Sequence, residues 1–210
     1  MSKTIKEIMN SSPIVPVMVI NKVEHAVPLA KALVAGGITT LEITLRTEAA
    51  LESITRIKAE VPEATVGAGT IINIETLNKA IAAGAEFIVS PGTTDAMIDA
   101  AIATGVPLLP GIANPSDAMR LLEKGITEMK FFPAEAAGGI PMLKSIGAPI
   151  PQITFCPTGG VNQKNVKDYY NLPNVACVGG SWMCASNLVD AEDWDEITRL
   201  SAEAIQLATA

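Results

Sequence analysis

Short runs rich in β-branched and aliphatic residues alternate with longer Ala- and Leu-rich stretches along the whole chain. The short runs are too brief for buried helices and are bounded by Gly, Pro and Asn, so they read as strands. They cover residues 14–20, 39–45, 65–68, 87–89, 107–109, 128–132, 152–155 and 175–178. A helix is expected after each, over 24–35, 48–60, 74–83, 94–104, 115–123, 140–146, 163–170 and 191–207, with an extra leading helix over 2–9. The punctuating residues agree. Gly36-Gly37, Gly84, Gly105 and Gly125 stand where helices end and a left-handed residue is favoured. Asn73, Thr93, Asn114 and Asn162 stand where helices begin and a side chain can cap free amides.

Eight strand–helix units in 210 residues match the count and near-minimal length of a (β/α)8 TIM barrel, here an α/β fold with an extra N-terminal helix. A doubly wound sheet would need fewer units and a nucleotide fingerprint. No G-x-G-x-x-G follows the first strand, and no GxxxxGK[ST] occurs anywhere. No linker or shift in composition divides the chain, so residues 1–210 are expected to form a single barrel domain.

Composition narrows the class of partner. Hydrophobic residues make up 49% of the chain and aromatic ones only 4%, so the core is built from Ala, Val, Ile and Leu. The net charge of −7, with no basic stripe to offset it, argues against nucleic acid. The amino-terminal residues lack an apolar signal core, and no apolar run approaches the ~18 residues of a membrane helix, so cytoplasmic residence is expected. Cys156, Cys177 and Cys184 are odd in number and form no CxxC, which fits reduced thiols. There is one histidine, His25, at a helix start, which reads as a surface or capping residue. No metal site is expected, because neither H-x-H nor H-E-x-x-H nor a carboxylate cluster occurs.

Two charged residues stand in runs apolar enough to be buried strands: Glu42 in Thr40–Arg46 and Lys130 in Glu128–Phe132. A buried charge is costly unless paired or employed. An amine held in apolar surroundings sheds its proton more readily and becomes a nucleophile toward carbonyl carbon. Strand alternation puts Thr40, Glu42, Thr44 and Arg46 on one face, opposite Leu41, Ile43 and Leu45. Arg46 then lies about 13 Å further along the strand than Glu42, near the barrel mouth. Lys130 shares a face with Glu128 and Phe132, and if that face is inward it approaches Glu42 across the barrel. The loops after strands 7 and 8 carry Gly159-Gly160 and Gly179-Gly180-Ser181. Glycine lets backbone N–H groups approach an anion, and these two loops are the recurrent phosphate site of the fold. Cys156 has no local basic partner in sequence and reads as a buried spectator, and Glu135 lies near the mouth with no assigned part.

These residues carry a specific resemblance. Leu41-Glu-Ile-Thr-Leu-Arg-Thr47, Gly67-Ala-Gly-Thr70, Ser90-Pro-Gly92, Lys130-Phe-Phe-Pro-Ala-Glu135, Cys156-Pro-Thr-Gly-Gly160 and Gly179-Gly-Ser181 together resemble the 2-keto-3-deoxy-6-phosphogluconate and 4-hydroxy-2-oxoglutarate aldolases over essentially the whole chain. The resemblance implies a homotrimeric class I aldolase with no metal or cofactor, acting on a phosphorylated 2-keto acid. It implies that Lys130 forms the Schiff base and that Glu42 is the general acid/base. It further implies that Arg46 and Thr70 hold the pyruvate carboxylate and that Pro91 and Phe132 shape the pocket. Thr158 would contact substrate, and Gly159, Gly160, Gly179, Gly180 and Ser181 would hold the phosphate. Two other readings stay open on sequence: an aldolase for the 4-epimeric 2-keto-3-deoxy-6-phosphogalactonate, and a non-catalytic sugar-phosphate-binding barrel.

Overall fold

The computed structural model describes residues 3–209, in which every strand pair is parallel. The expected leading helix begins at Ser2, which lies outside the described residues. Helix α1 (Ile5–Asn10) opens at Thr4, whose hydroxyl accepts from the Glu7 amide while the Glu7 side chain accepts from the Thr4 amide. The parallel core that follows is β1 (Ile14–Met18), α2 (Ala26–Ala35), β2 (Thr40–Thr44), α3 (Ala50–Glu60), β3 (Thr65–Gly69), α4 (Ile74–Ala82), β4 (Phe87–Val89), α5 (Asp95–Thr104), β5 (Leu108–Leu109) and β6 (Gly111–Ile112). It continues through α6 (Pro115–Glu123), β7 (Glu128–Phe131), α7 (Gly139–Gly147), β8 (Thr154–Pro157), α8 (Val166–Tyr170), β9 (Val178–Gly180), α9 (Ser186–Asp190) and α10 (Trp194–Thr209). The strands are hydrogen-bonded in the orders β5-β4-β3-β2-β1-β9 and β6-β7-β8, a parallel α/β half-barrel. Among the described residues no helix is long and apolar enough to cross a membrane.

Two apolar cores follow from the period-2 alternation of strands. Ile14, Leu41, Ile43, Val66, Ala68, Ile88, Leu108, Met129, Phe131 and Phe155 face the helices in one large cluster. Their strand neighbours Val15, Phe87, Val89, Leu109 and Cys156 face the other way, into a small cluster with Cys177. Ile8 and Met9 of α1 belong to that small cluster, so the helix plugs the inner space from the end where the strands begin. Gly67 and Gly69 stand at inward positions of β3. A Cβ on Gly67 would overlap the Phe87 ring, so the missing side chain is what admits a phenylalanine there.

Several boundaries differ from the sequence reading. The fifth strand is interrupted at Pro110, which has no N–H to give, and Gly111–Ile112 resumes beyond it as β6. The seventh strand runs Thr154–Pro157 instead of 152–155. The eighth is Val178–Gly180 instead of 175–178, and Val175 makes only an isolated bridge to Phe155. The bridges Phe155↔Val175 and Thr158↔Gly179 span unequal lengths of chain, so one extra residue is accommodated as a bulge. Gly179 and Gly180 therefore lie within a strand, not in the loop after it.

The helix expected over 163–170 starts only at Val166, because Asn162 and Asn165 hold a turn. The Asn162 side chain accepts from the Lys164 amide at 2.9 Å, and the Asn165 side chain accepts from the Asn162 amide at 2.8 Å. Thr94, not Thr93, caps α5. The helix expected over 191–207 starts only at Trp194, after Glu192 takes a left-handed φ of 54°, and a short helix not expected from the sequence, α9, precedes it. The second expected helix starts as a short 3-10 turn at Val23–His25. His25 is 2% exposed, not a surface residue; it packs edge-on to Trp194 and lies 3.3 Å from the Glu192 carboxylate.

Candidate active site

Glu42 is the middle residue of β2, with apolar Leu41 and Ile43 committed to the helix side. It pairs in register with Val17 on one side and Gly67 on the other. Lys130 is held likewise by Met129 and Phe131, in register with Gly111 and Cys156. The two charged side chains meet: the Lys130 Nζ lies 3.2 Å from Glu42 Oε1 and 3.5 Å from Oε2, with residue exposures of 5% and 3%. A buried ion pair is weak evidence of stabilisation, since desolvation offsets much of the Coulomb attraction. The Lys130 Nζ also sits 5.3 Å from the centre of the Phe132 ring.

Gly69, not assigned a separate part in the sequence, makes room for this pair. A Cβ there would overlap the Glu42 carboxylate, with the Glu42 Cγ and Cδ only 2.7 and 2.8 Å from the same point. The signal was present as two glycines at alternate, inward positions of one strand. Gly69→Ala is expected to displace the carboxylate and lower kcat about tenfold to a hundredfold while the fold persists, since an ångström of misplacement has effects of that size. Steady-state kinetics with circular dichroism checks it, and an unchanged kcat contradicts the packing argument.

A cavity of about 160 Å³ opens at the carboxyl ends of these strands. Arg46, Phe132, Thr158, Gly159, Gly160, Gly179, Gly180 and Ser181 all line it, which gathers eight of the expected substrate-contact residues. Thr70 stands beside it, because its hydroxyl accepts from Arg46 Nε at 3.1 Å. Thr70 is β-branched yet has a φ of 62°, a strained backbone of the kind concentrated at ligand sites. Pro91 does not line this cavity; it borders a separate one with Ile72, Gly92 and Thr94, and its carbonyl packs against Gly111. A cavity of about 440 Å³ at the opposite end of the strands, bordered by Lys3, Lys58 and Thr65, contains none of these residues.

The turn after β8 is built on two glycines. Gly159 and Gly160 are consecutive left-handed residues, with φ of 99° and 81°. The Gly159 carbonyl accepts from the Glu135 amide at 3.0 Å. The Gly160 carbonyl accepts from the side chains of Asn162 at 2.9 Å and Asn165 at 3.2 Å. The amides of Gly159, Gly160 and Val161 donate to no acceptor among the described residues, and all three residues line the cavity. A Cβ on Gly179 would overlap the Thr158 side chain, so that glycine seats Thr158 as well as lining the wall.

Cys156 does have a basic neighbour, contrary to its isolation in sequence: Lys130 is its register partner on β7. A hydrogen bond to Cys177 and the Lys130 charge hold the Cys156 thiol below its ordinary range, while that hydrogen bond and burial push Cys177 up. Burial pushes Cys184 up to about 12. All three cysteines are free. Among the described residues, no group of three His, Cys, Asp or Glu side chains is placed to hold a metal ion.

Known proteins of the same build give this geometry its context. The family model for KDPG and KHG aldolases matches residues 5–200. A 2-dehydro-3-deoxy-phosphogluconate aldolase of Pseudoalteromonas atlantica is 52% identical over 200 residues, covering 95% of this chain and 93% of the relative. The KHG/KDPG aldolase of Escherichia coli K12 is 49% identical over 201 residues, covering 96% and 94%. A crystal structure of KDPG aldolase from Legionella pneumophila, with pyruvate captured at low pH as a covalent carbinolamine, superposes with a TM-score of 0.95 at 44% identity, covering 98% of this chain and all of the other. With half of its residues shared over nearly its whole length, the chain belongs to the KDPG and KHG aldolase family.

Proposed function

We propose that the protein is a class I aldolase that cleaves 2-keto-3-deoxy-6-phosphogluconate to pyruvate and glyceraldehyde 3-phosphate through a Schiff base on Lys130. The buried Lys130–Glu42 contact beneath a cavity lined by Arg46 and the Gly159–Gly160 turn carries this reading. Neutral Lys130 Nζ attacks C2 of the keto acid to give a carbinolamine, which loses water to an iminium, with Glu42 moving the protons. Glu42 then takes the C4 hydroxyl proton as the C3–C4 electron pair flows into the iminium. Glyceraldehyde 3-phosphate departs and leaves an enamine. Protonation at C3 and hydrolysis release pyruvate and regenerate the amine. The same steps convert 4-hydroxy-2-oxoglutarate to pyruvate and glyoxylate, which makes it a second substrate. The 4-epimer, 2-keto-3-deoxy-6-phosphogalactonate, would use the same two groups. Comparing steady-state kcat/KM for the two epimers tests the preference; a higher value for the galactonate reverses it.

Arg46 is assigned the substrate carboxylate, as a guanidinium offers paired donors of matching geometry. Its Nε is already aligned by Thr70. Arg46→Ala is expected to raise KM about tenfold to a hundredfold with a smaller change in kcat, because one charge-assisted contact is lost. An unaltered KM would show that the carboxylate is held elsewhere. Phe132 and Thr158 shape the pocket, and the amides around Gly159, Gly160, Gly179, Gly180 and Ser181 receive the phosphate.

The proposal extends to architecture. Residues 1–210 form one domain whose strands close as a (β/α)8 barrel with the leading helix as its plug. The bridges from Phe155 and Thr158 to the β9 segment, and the single residue separating β5 from β6, support closure. The working form is a homotrimer in the cytoplasm. Exposed Ile72, Ile74 and Met119 offer apolar surface for the trimer, and three buried free thiols suit a reducing compartment.

A further inference from the structure

Glu135 and Tyr169 stand outside the chemistry described above, yet both bear on the glycine turn that lines the cavity. Glu135 follows the strand of Lys130 and touches the turn in two ways. Its amide donates to the Gly159 carbonyl at 3.0 Å, and its side chain packs so closely on Gly160 that any Cβ there would overlap its Cβ and Cγ. The preceding amide, of Ala134, donates to the Thr158 carbonyl at 2.8 Å. From α8, the Tyr169 hydroxyl donates to Glu135 Oε1. Tyr169 is itself fully buried, and burial together with this hydrogen bond raises its pKa. Gly139, at the start of α7 with a φ of 58°, passes within 3.2 Å of both polar partners, measured from where its Cβ would be, and so fits closely against the contact.

The placement has an electrostatic consequence. A carboxylate beside a turn of unpaired amides competes with any anion that binds there, unless its position is fixed. The buried Tyr169 hydroxyl fixes it, and the same contact presses the Glu135 stem against Gly160. Freed from Tyr169, the carboxylate swings through the space beside the turn, repels a phosphate, and lets the two left-handed glycines relax.

We infer that Glu135 and Tyr169 are positioning residues that lock the Gly159–Gly160 turn for the phosphoryl group of the substrate. The inference rests on the proposed phosphate role of that turn. It separates two substrates of the same chemistry: a phosphorylated keto acid depends on the lock, whereas 4-hydroxy-2-oxoglutarate, which has no phosphate, does not.

The test measures KM and kcat of wild type, Tyr169→Phe, Glu135→Ala and Glu135→Gln on both substrates, with inorganic phosphate as competing inhibitor. Tyr169→Phe keeps the buried ring and removes only the donor. It and Glu135→Ala are expected to raise KM for the phosphorylated substrate, and the inhibition constant of phosphate, about tenfold, the usual scale for one hydrogen bond to a charged group. Both should leave kcat and KM for 4-hydroxy-2-oxoglutarate within about twofold. Glu135→Gln still accepts from Tyr169 and packs on Gly160, so it should stay near wild type on both substrates. Wild type inhibited by phosphate, with Tyr169→Phe and Glu135→Ala either unaltered or impaired equally on both substrates, overturns the lock alone. Wild type indifferent to inorganic phosphate removes the phosphate role of the turn and the lock with it.

Discussion

Lys130→Arg is expected to lower kcat at least about 10⁴-fold, to the background of the assay, because it removes the nucleophile itself. A guanidinium stays protonated in proteins and cannot attack C2, yet it retains the positive charge opposite Glu42. Lys130→Ala should be equally inactive for a second reason. It leaves the Glu42 carboxylate, 3% exposed, without its partner at 3.2 Å, and an uncompensated buried charge costs about 3–5 kcal/mol. Thermal denaturation beside the kinetics separates these effects: Lys130→Ala should lose stability as well as turnover. Near-native turnover in either variant would end the imine assignment.

Glu42→Gln is expected to lower kcat about 10²–10⁴-fold, the range for a general acid/base, with little change in KM. The amide matches the carboxylate in shape and still fits against Gly69, so the cavity should keep its form. What it cannot do is accept a proton from the carbinolamine or from the C4 hydroxyl. Steady-state kinetics on the phosphorylated substrate decides the matter. If only KM rises, Glu42 binds substrate and some other group moves the protons.

Much of this site was legible in the chain because strand alternation is a local property. Leu41 and Ile43 commit one face of β2 to the helices, so Glu42 must point the other way; Met129 and Phe131 do the same for Lys130. Helix ends at Gly84, Gly105 and Gly125 were equally local, each with a positive φ. The rest depends on contacts between distant segments. Nothing near Cys156 in sequence reveals that Lys130 lies beside it on the next strand. Nothing in Phe132-Pro-Ala-Glu135 names Tyr169 as the donor to Glu135. The late start of the last helix follows a left-handed Glu192, a residue type with no preference for that conformation. His25 read as a surface residue because one histidine at a helix start is usually exposed; its burial comes from α10 folding Trp194 against it. The displaced eighth strand reflects a bulge, which no pattern in Val175–Gly180 announces.

Borohydride reduction in the presence of pyruvate, followed by peptide mass spectrometry, tests the central claim most directly. Pyruvate is both product and enamine partner, so it should form the imine without the aldehyde half of the substrate. A reduced pyruvyl adduct confined to the peptide carrying Lys130, and lost in Lys130→Arg, is the predicted result. A folded protein saturated with pyruvate that yields no adduct, or one modified at a different lysine, would contradict the account.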